Sequence, residues 1–168
     1  MQRTMSSEEL NNYIGQIKNP SETFERFLHH YVTGSIWIRS RGEEDISVWN
    51  RLRGAELELA KQIIINELKI VHDDSYMRAV SIFKDEKAIP VLMEIISTSP
   101  HSSIRLLAAK SLYDLTGYED YVTMLDDACK NYQDRVLYDY LKVSIGRFVD
   151  GLGEADRLRI TKSLDGNS

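Results

Sequence analysis

The sequence predicts an all-α protein, a right-handed α-solenoid of stacked antiparallel helical hairpins with a non-repeating helical cap at its N-terminal end. Apolar residues recur at helical spacing along most of the 168 residues, and clean β-alternation is nearly absent. Pro20, Pro90 and Pro100, the three prolines, all stand where a helix can start or stop. A composition of 42% hydrophobic and 28% charged residues is that of a folded globular chain.

Net charge and cysteine content limit the expected compartment and partners. Cys129 is the only cysteine, so no internal disulfide can form and we expect a cytoplasmic protein. The first residues lack the apolar stretch of a secretory signal, and no apolar run is long enough to span a membrane. The net charge of −5 argues against general affinity for nucleic acids or anionic membranes, and it suits a basic protein partner.

Two helices are predicted before residue 33. Ser6 and Glu9 have the spacing of a capping box, which predicts a helix reaching about Lys18. Ser21 follows a proline and caps the second helix. The apolar residues of that second helix fall on one face at spacings of 3, 4 and 7: Phe24, Phe27, Leu28 and Tyr31.

Residues 33–54 are the least regular stretch of the sequence. They contain three glycines and a mixed run of charges, which predicts a loop or an inserted arm. A short strand or helical turn is expected around Ile36 or Ile46.

From Ala55 onward the helical pattern is strong. It predicts helices over 55–70, 76–83, 88–96, 104–115, 118–129, 134–149 and 155–162. The first of these is apolar on two sides, which is typical of a helix that lies between two neighbours. Gly117 suits the left-handed position after a helix end. In the helix over 88–96 we expect an inward-facing stripe of Ile89, Leu92, Met93 and Ile96.

Two helical hairpins, over about 74–97 and 102–129, correspond to each other at an offset of about 30 residues. A hairpin cannot bury both of its faces alone, so neighbouring hairpins must stack. The sequence therefore divides into an N-terminal cap with the irregular arm over 1–54, helical repeats over 55–163, and a frayed tail over 164–168.

Two segments resemble the HEAT-repeat family, which is armadillo-type. Residues 79–92, AVSIFKDEKAIPVL, look like a first helix that leads through an acidic turn to the Ala-Ile-Pro-x-Leu opening of the second. Residues 103–112, SIRLLAAKSL, are similar to the Val-Arg-x-x-Ala-Ala-x-x-Leu signature of a first helix. The resemblance covers about 55–150 and implies the stacked architecture without implying an activity. The segment after Leu125 lacks the Ala-Ile-Pro pattern, and residues 1–54 do not match.

Tryptophan and arginine are concentrated in the irregular arm. Both are common anchors of protein interfaces, so six residues are candidate contacts for an acidic or aromatic partner: Trp37, Arg39, Arg41, Trp49, Arg51 and Arg53. In the alternative interpretation, the tryptophans close the end of the solenoid and the arginines pair with the acidic residues over 43–45.

Acidic residues and tyrosines provide the remaining candidates. Glu86, Asp126 and Asp127 are candidate contacts for a basic partner, although carboxylates near helix ends also stabilise the helices themselves. Six tyrosines between residues 113 and 140 suit either an interaction groove or ordinary packing.

No motif for catalysis, a cofactor or a metal ion stands out in the sequence. We therefore expect a non-catalytic protein-interaction module without a cofactor. One specific form is a bacterial immunity-type protein that neutralises a toxin. The alternative is a nucleic-acid-binding protein or a HEAT-like enzyme of the DNA glycosylase or lyase type. The partner's identity and the oligomeric state are not predicted.

Overall fold

The computed structural model describes residues 7–33, 46–131 and 133–166, and these residues form ten α-helices and no β-strand. The all-α prediction is thus confirmed. None of the described helices is both long and apolar enough to cross a bilayer. The helices are α1 (Ser7–Ile14), α2 (Glu22–Phe27), α3 (Ser47–Arg51), α4 (Gly54–Leu68), α5 (Asp74–Phe83), α6 (Ile89–Thr98), α7 (Ser102–Thr116), α8 (Asp120–Lys130), α9 (Arg135–Val149) and α10 (Glu154–Asp165).

Two compact units make up the chain, and they meet in sequence between Val91 and Leu92. We call residues up to 91 unit 1 and residues from 92 unit 2. In unit 1, α2 continues into a π-helical turn, Leu28–Thr33. A 3₁₀ turn, Glu86–Ala88, comes directly before α6.

The first helix is shorter than predicted. It ends at Ile14 instead of near Lys18, because Gly15 is a poor helix former and the chain then tightens into i→i+3 turns. Asn19 adopts a left-handed backbone with φ 58°, which separates α1 from α2. The predicted capping residue Ser6 lies outside the described residues.

Ser21 joins the start of α2 to α4. Its hydroxyl oxygen accepts the N–H of Phe24 at 3.2 Å, which confirms the predicted cap. The Ser21 N–H and hydroxyl both donate to the Glu56 carboxylate, at 2.7 and 2.6 Å. The cap therefore also fixes the position of α2 against the first turn of α4.

The core of unit 1 is built on α4, which packs extensively on α5. Residues on both of its predicted apolar sides are buried: Leu59, Ala60, Ile63, Ile64 and Leu68. The prediction that Ile70 extends the second side is wrong, because α4 ends at Leu68 and Ile70 is 55% exposed. Asp73 caps α5 by accepting the N–H of Ser75 at 2.8 Å. Tyr76 of α5 donates its hydroxyl to the carbonyl of Tyr31 at 3.1 Å.

The inward face of α6 differs from the predicted one. Val91, Leu92 and Ile95 are buried, whereas Met93 is 45% exposed. The buried face is rotated by about one residue, or about 100°, from the predicted stripe. Because α6 is apolar on nearly every side, its periodicity does not distinguish between these two faces.

Unit 2 contains α7 to α10. Gly117, with φ 75°, ends α7 in the predicted left-handed conformation. Tyr113 near the end of α7 packs on Tyr121 near the start of α8, with ring centroids 5.2 Å apart. Tyr121 donates its hydroxyl to the carbonyl of Phe148 at 2.6 Å, and Tyr138 donates to the carbonyl of Leu164 at 3.0 Å.

Candidate partner-binding site

The predicted tryptophan and arginine residues lie in unit 1, and only half of them fall on described residues. Trp37, Arg39 and Arg41 lie outside the described residues. Trp49 is on α3 and is 4% exposed. Its ring lies 5.4 Å from the rings of both Phe27 and Tyr31 and 5.0 Å from that of Phe83. The indole of Trp49 is therefore part of an aromatic core.

Arg51 and Arg53 are exposed and make local hydrogen bonds. Arg51 donates to the Ser47 hydroxyl at 2.9 Å, one helical turn back. Arg53 donates to the carbonyl of Leu52 at 2.7 Å. The acidic residues over 43–45, their alternative partners, lie outside the described residues. Contact of these arginines with a partner stays a prediction.

The predicted acidic contacts have different surroundings. Glu86 is exposed in the 3₁₀ turn of unit 1. Asp126 of unit 2 accepts hydrogen bonds from Lys130 at 2.6 Å and from the Ser163 hydroxyl at 2.8 Å. Desolvation opposes ionisation of Asp126, but the bonds from Lys130 and Ser163 outweigh it and hold the pKa of the carboxyl below its usual range. Asp126 thus joins α8 to α10.

Asp127 lies on the wall of a cleft in unit 2, which we call the Asp127 cleft. The cleft has a volume of about 250 Å³ and is formed by the start of α7, the second half of α8 and the start of α9. Asn131, Asp134 and Arg105 provide its other polar groups, and the apolar lining is contributed by Leu106, Met124, Ala128 and Leu137.

One side of the Asp127 cleft is held by hydrogen bonds. The Ser102 hydroxyl donates to the Asp134 carboxylate at 2.5 Å, and the N–H of Leu137 donates to the same carboxylate at 3.2 Å. Both bonds lower the pKa of Asp134, and the bond from Ser102 has the larger effect. Arg105 donates to the carbonyl of Ser99 at 2.7 Å. The positions of Asp134 and Arg105 are therefore fixed before any ligand arrives.

The opposite side of the cleft has polar groups that are available to a ligand. Within the described part of the chain, the Asp127 carboxylate and the Asn131 carboxamide make no hydrogen bond or ion pair through their side chains. Both lie at the C-terminal end of α8, where the helix dipole adds partial negative charge. The carboxylates of Asp127 and Asp134 outnumber the one cation of the described lining, Arg105, so the cleft favours a cationic group whose aliphatic stem can contact Met124 and Leu137.

Sequence reasoning identified Asp127 but missed the rest of the cleft. The helix start at Asp134 was predicted, yet its bond to Ser102 joins residues 32 positions apart. Arg105 stands in the segment that resembles a HEAT first helix, but that resemblance implies no cleft, and Asn131 has no local pattern that distinguishes it from other surface residues. The cleft thus depends on helix packing that a single sequence does not specify.

The tyrosines of unit 2 contribute mainly to packing. Tyr121 and Tyr138 are buried with bonded hydroxyls, and burial raises the pKa of Tyr121 well above its usual value. Tyr113, Tyr118 and Tyr140 are half-buried, and Tyr132 lies outside the described residues. A separate tyrosine-lined interaction groove remains a prediction.

Cysteine and histidine side chains are further reactive groups of the described residues. Cys129 is buried, and burial raises the pKa of its thiol to about 11. Neighbouring His29 and His30 place their rings edge to face, 5.3 Å apart. In the part of the chain that the structure covers, no group of three or more His, Cys, Asp or Glu side chains could hold a metal ion.

No protein-family model, curated protein or solved structure matches this chain. The HEAT-like interpretation therefore remains a prediction from the residues, and the candidate site is defined by its geometry alone.

Removal of the Asp134 side chain provides a test of the fixed side of the cleft. Asp134→Ala is expected to lower the free energy of unfolding at neutral pH by about 1–2 kcal/mol, because α9 loses its cap and Ser102 its acceptor. Folding lowers the pKa of Asp134 below its value of about 3.9 in the unfolded chain. The stabilisation by the Asp134 carboxylate is therefore fully present above about pH 3.9, and it is lost as the pH falls through the pKa of the folded protein.

The difference in free energy of unfolding between the parent protein and Asp134→Ala should be measured by urea denaturation at about pH 7 and at about pH 2.5. Asp134→Asn is the matched control, because asparagine also caps helices well. An equal loss for the alanine variant at both pH values would contradict the role of the carboxylate.

Proposed function

We propose that this chain is a non-catalytic, HEAT-like protein-interaction module that binds a basic segment of a partner protein through the Asp127 cleft. The available Asp127 carboxylate, placed with Asn131 at the end of α8 and opposite Asp134, carries this proposal. A cleft of about 250 Å³ has room for one side chain of the partner, and its polar groups suit a lysine or an arginine.

Several contacts support the proposed solenoid in unit 2. The end of α7 meets the start of α8 through Tyr113 and Tyr121. The start of α8 meets the end of α9, and the start of α9 meets the end of α10, through the hydroxyls of Tyr121 and Tyr138. Successive helices that contact each other start to end are typical of stacked antiparallel hairpins.

Charge and composition support the rest of the proposal. The net charge of −5 matches a basic partner, and a single buried thiol fits a reducing cytoplasm. A toxin-neutralising, immunity-type protein is the specific form that the small size and acidic charge favour. Electrostatic attraction of this kind speeds association and weakens as the salt concentration rises.

Site-specific photocrosslinking tests the proposal in the cells that encode the chain. The photoreactive residue p-benzoylphenylalanine replaces Asn131, which lines the cleft, or Glu154, an exposed residue that does not. We expect one discrete crosslinked protein from position 131 that is absent from position 154. Its yield should fall about tenfold or more with Asp127→Lys, because a like charge then faces the basic segment.

The matched control for the charge reversal is Asp139→Lys, since Asp139 is exposed on α9 and does not line the cleft. This control should leave the yield unchanged. Identical products from positions 131 and 154, or a yield unaffected by Asp127→Lys, would overturn the proposal. A crosslink to nucleic acid would instead favour the alternative function.

A further inference from the structure

Unit 1 contains a cavity that is larger than the Asp127 cleft. It has a volume of about 560 Å³ and lies between α1 and the C-terminal half of α4. This volume is within the range of about 300–1,000 Å³ that is typical of ligand sites. Carboxamides from both helices line it, together with Tyr13, Lys69 and Ile70.

Three of the lining side chains form a hydrogen-bonded chain whose direction can be deduced. Lys69 donates to the Asn66 carbonyl oxygen at 3.1 Å, and an ammonium group can only donate. The amide nitrogen of Asn66 therefore points to Tyr13, whose hydroxyl oxygen accepts it at 2.7 Å. Because Tyr13 accepts from Asn66, its own proton is still available to another acceptor.

Within the described residues, that proton has no acceptor, and Lys69 has no anionic partner. Asn66 thus holds two donors, one neutral and one cationic, on the same cavity. Glu67 also lines the cavity, but it is only 2% exposed and interacts with another group, so it presents little surface to a ligand.

The rest of the lining supplies further polar groups and an apolar surface. Asn12 and Gln62 line the cavity with carboxamides, which can donate to an anion. Ile70 lies on the same cavity and is 55% exposed, so it offers an apolar surface to a ligand. A ligand that matches this lining has an anionic acceptor next to an apolar group.

We propose that the cavity between α1 and α4 binds a carboxylate that is flanked by an apolar group, with Tyr13 and Lys69 donating to the carboxylate and Ile70 contacting the apolar group. Such a carboxylate can come from a free organic acid or from a glutamate beside an aliphatic residue in a protein. The site lies entirely in unit 1, and the proposal does not depend on the function proposed for the Asp127 cleft.

Titration of the full chain with chosen probes, followed by NMR, provides the test. The side-chain amide signals of Asn66 and Gln62 report on the cavity, and the probes are sodium hexanoate, its neutral analogue hexanamide, and acetate. Hexanoate should shift these signals and bind about tenfold more tightly than hexanamide, because charged hydrogen bonds are lost in the analogue. Acetate should bind more weakly than hexanoate, since it lacks the apolar chain.

A second pair of probes distinguishes the two sources of the carboxylate. The capped peptides Gly-Leu-Glu-Gly and Gly-Leu-Gln-Gly differ only in the charged group. Tighter binding of the glutamate peptide than of hexanoate supports a protein segment, and the reverse order supports a free organic acid. Equal binding of the charged and neutral members in both pairs would overturn the proposal.

Variants of Tyr13 and Lys69 test whether these two donors bind the carboxylate. Tyr13→Phe and Lys69→Gln should each lower the affinity for the carboxylate probe that binds more tightly, by about five- to tenfold. Lys84→Gln is the matched control, because Lys84 is exposed in unit 1 but does not line the cavity. Lys69 is exposed at the end of α4, so its variant should fold even if Tyr13→Phe does not. Unchanged affinity in Lys69→Gln would contradict the assignment.

Discussion

Replacing Trp49 with alanine is expected to lower the free energy of unfolding by about 3–5 kcal/mol. The indole is 4% exposed and contacts the rings of Phe27, Tyr31 and Phe83, which come from two segments of unit 1, α2 with its π-helical continuation and α5. Its removal leaves a cavity that these rigid rings cannot easily fill. Urea denaturation monitored by circular dichroism measures the loss.

The control for this substitution is Trp49→Phe. The indole N–H is buried and has no hydrogen-bond partner among the described residues, so its removal is not expected to cost a bond. We expect Trp49→Phe to lose about 1–2 kcal/mol, mainly through the smaller ring. A loss below about 1 kcal/mol for Trp49→Ala would show that the indole is not part of the core.

Removing Asp114 is expected to destabilise unit 2 more than removing its partner, Lys110. The two side chains form an ion pair one turn apart on α7, and they are only 20% and 9% exposed. Asp114→Ala leaves the Lys110 ammonium without its counter-ion, which should cost about 2–3 kcal/mol. Lys110→Met keeps the length of the side chain and removes the more deeply buried charge. The Asp114 carboxylate that it leaves unpaired is 20% exposed and is hydrated more easily than the 9% exposed Lys110 ammonium, so the cost should be smaller, about 1 kcal/mol.

The double variant makes this asymmetry measurable. Lys110→Met combined with Asp114→Ala should be more stable than Asp114→Ala alone, because the unpaired cation is then absent. Chemical denaturation of the four proteins gives the coupling free energy. If the two single variants lose the same free energy of unfolding, and the double variant loses the sum of the two, the ion pair does not contribute through its charge.

Local signals in the sequence were sufficient for most helices of this protein. Ser21 and Gly117 mark a helix start and a helix end through their own backbone and side-chain chemistry, so a sequence can show both. The predicted burial of Met93 is wrong because α6 is apolar on nearly all sides, and its neighbours in space decide which side is buried.

The candidate sites were far less predictable than the helices. Trp49 resembles an interface residue in sequence, and its burial follows only from the approach of Phe27 and Phe83. Asn66 and Tyr13 are ordinary polar residues until a contact across 53 positions brings them together. Side-chain chemistry restricts what each residue can do, but packing between distant segments decides which residues act together.

Hydrogen bonds from the hydroxyls of Tyr76, Tyr121 and Tyr138, which are buried, have a consequence for local unfolding of this protein. Each donates to a carbonyl near the end of a helical segment, at Tyr31, Phe148 or Leu164. Such carbonyls have no partner within their own helix, and helix ends normally fray independently of the rest of a protein. Here, each helix end is held by a ring from the core of its own unit. Amide hydrogens there should exchange with solvent only in openings that also expose that core, so the helix ends and the core behave as one cooperative unit.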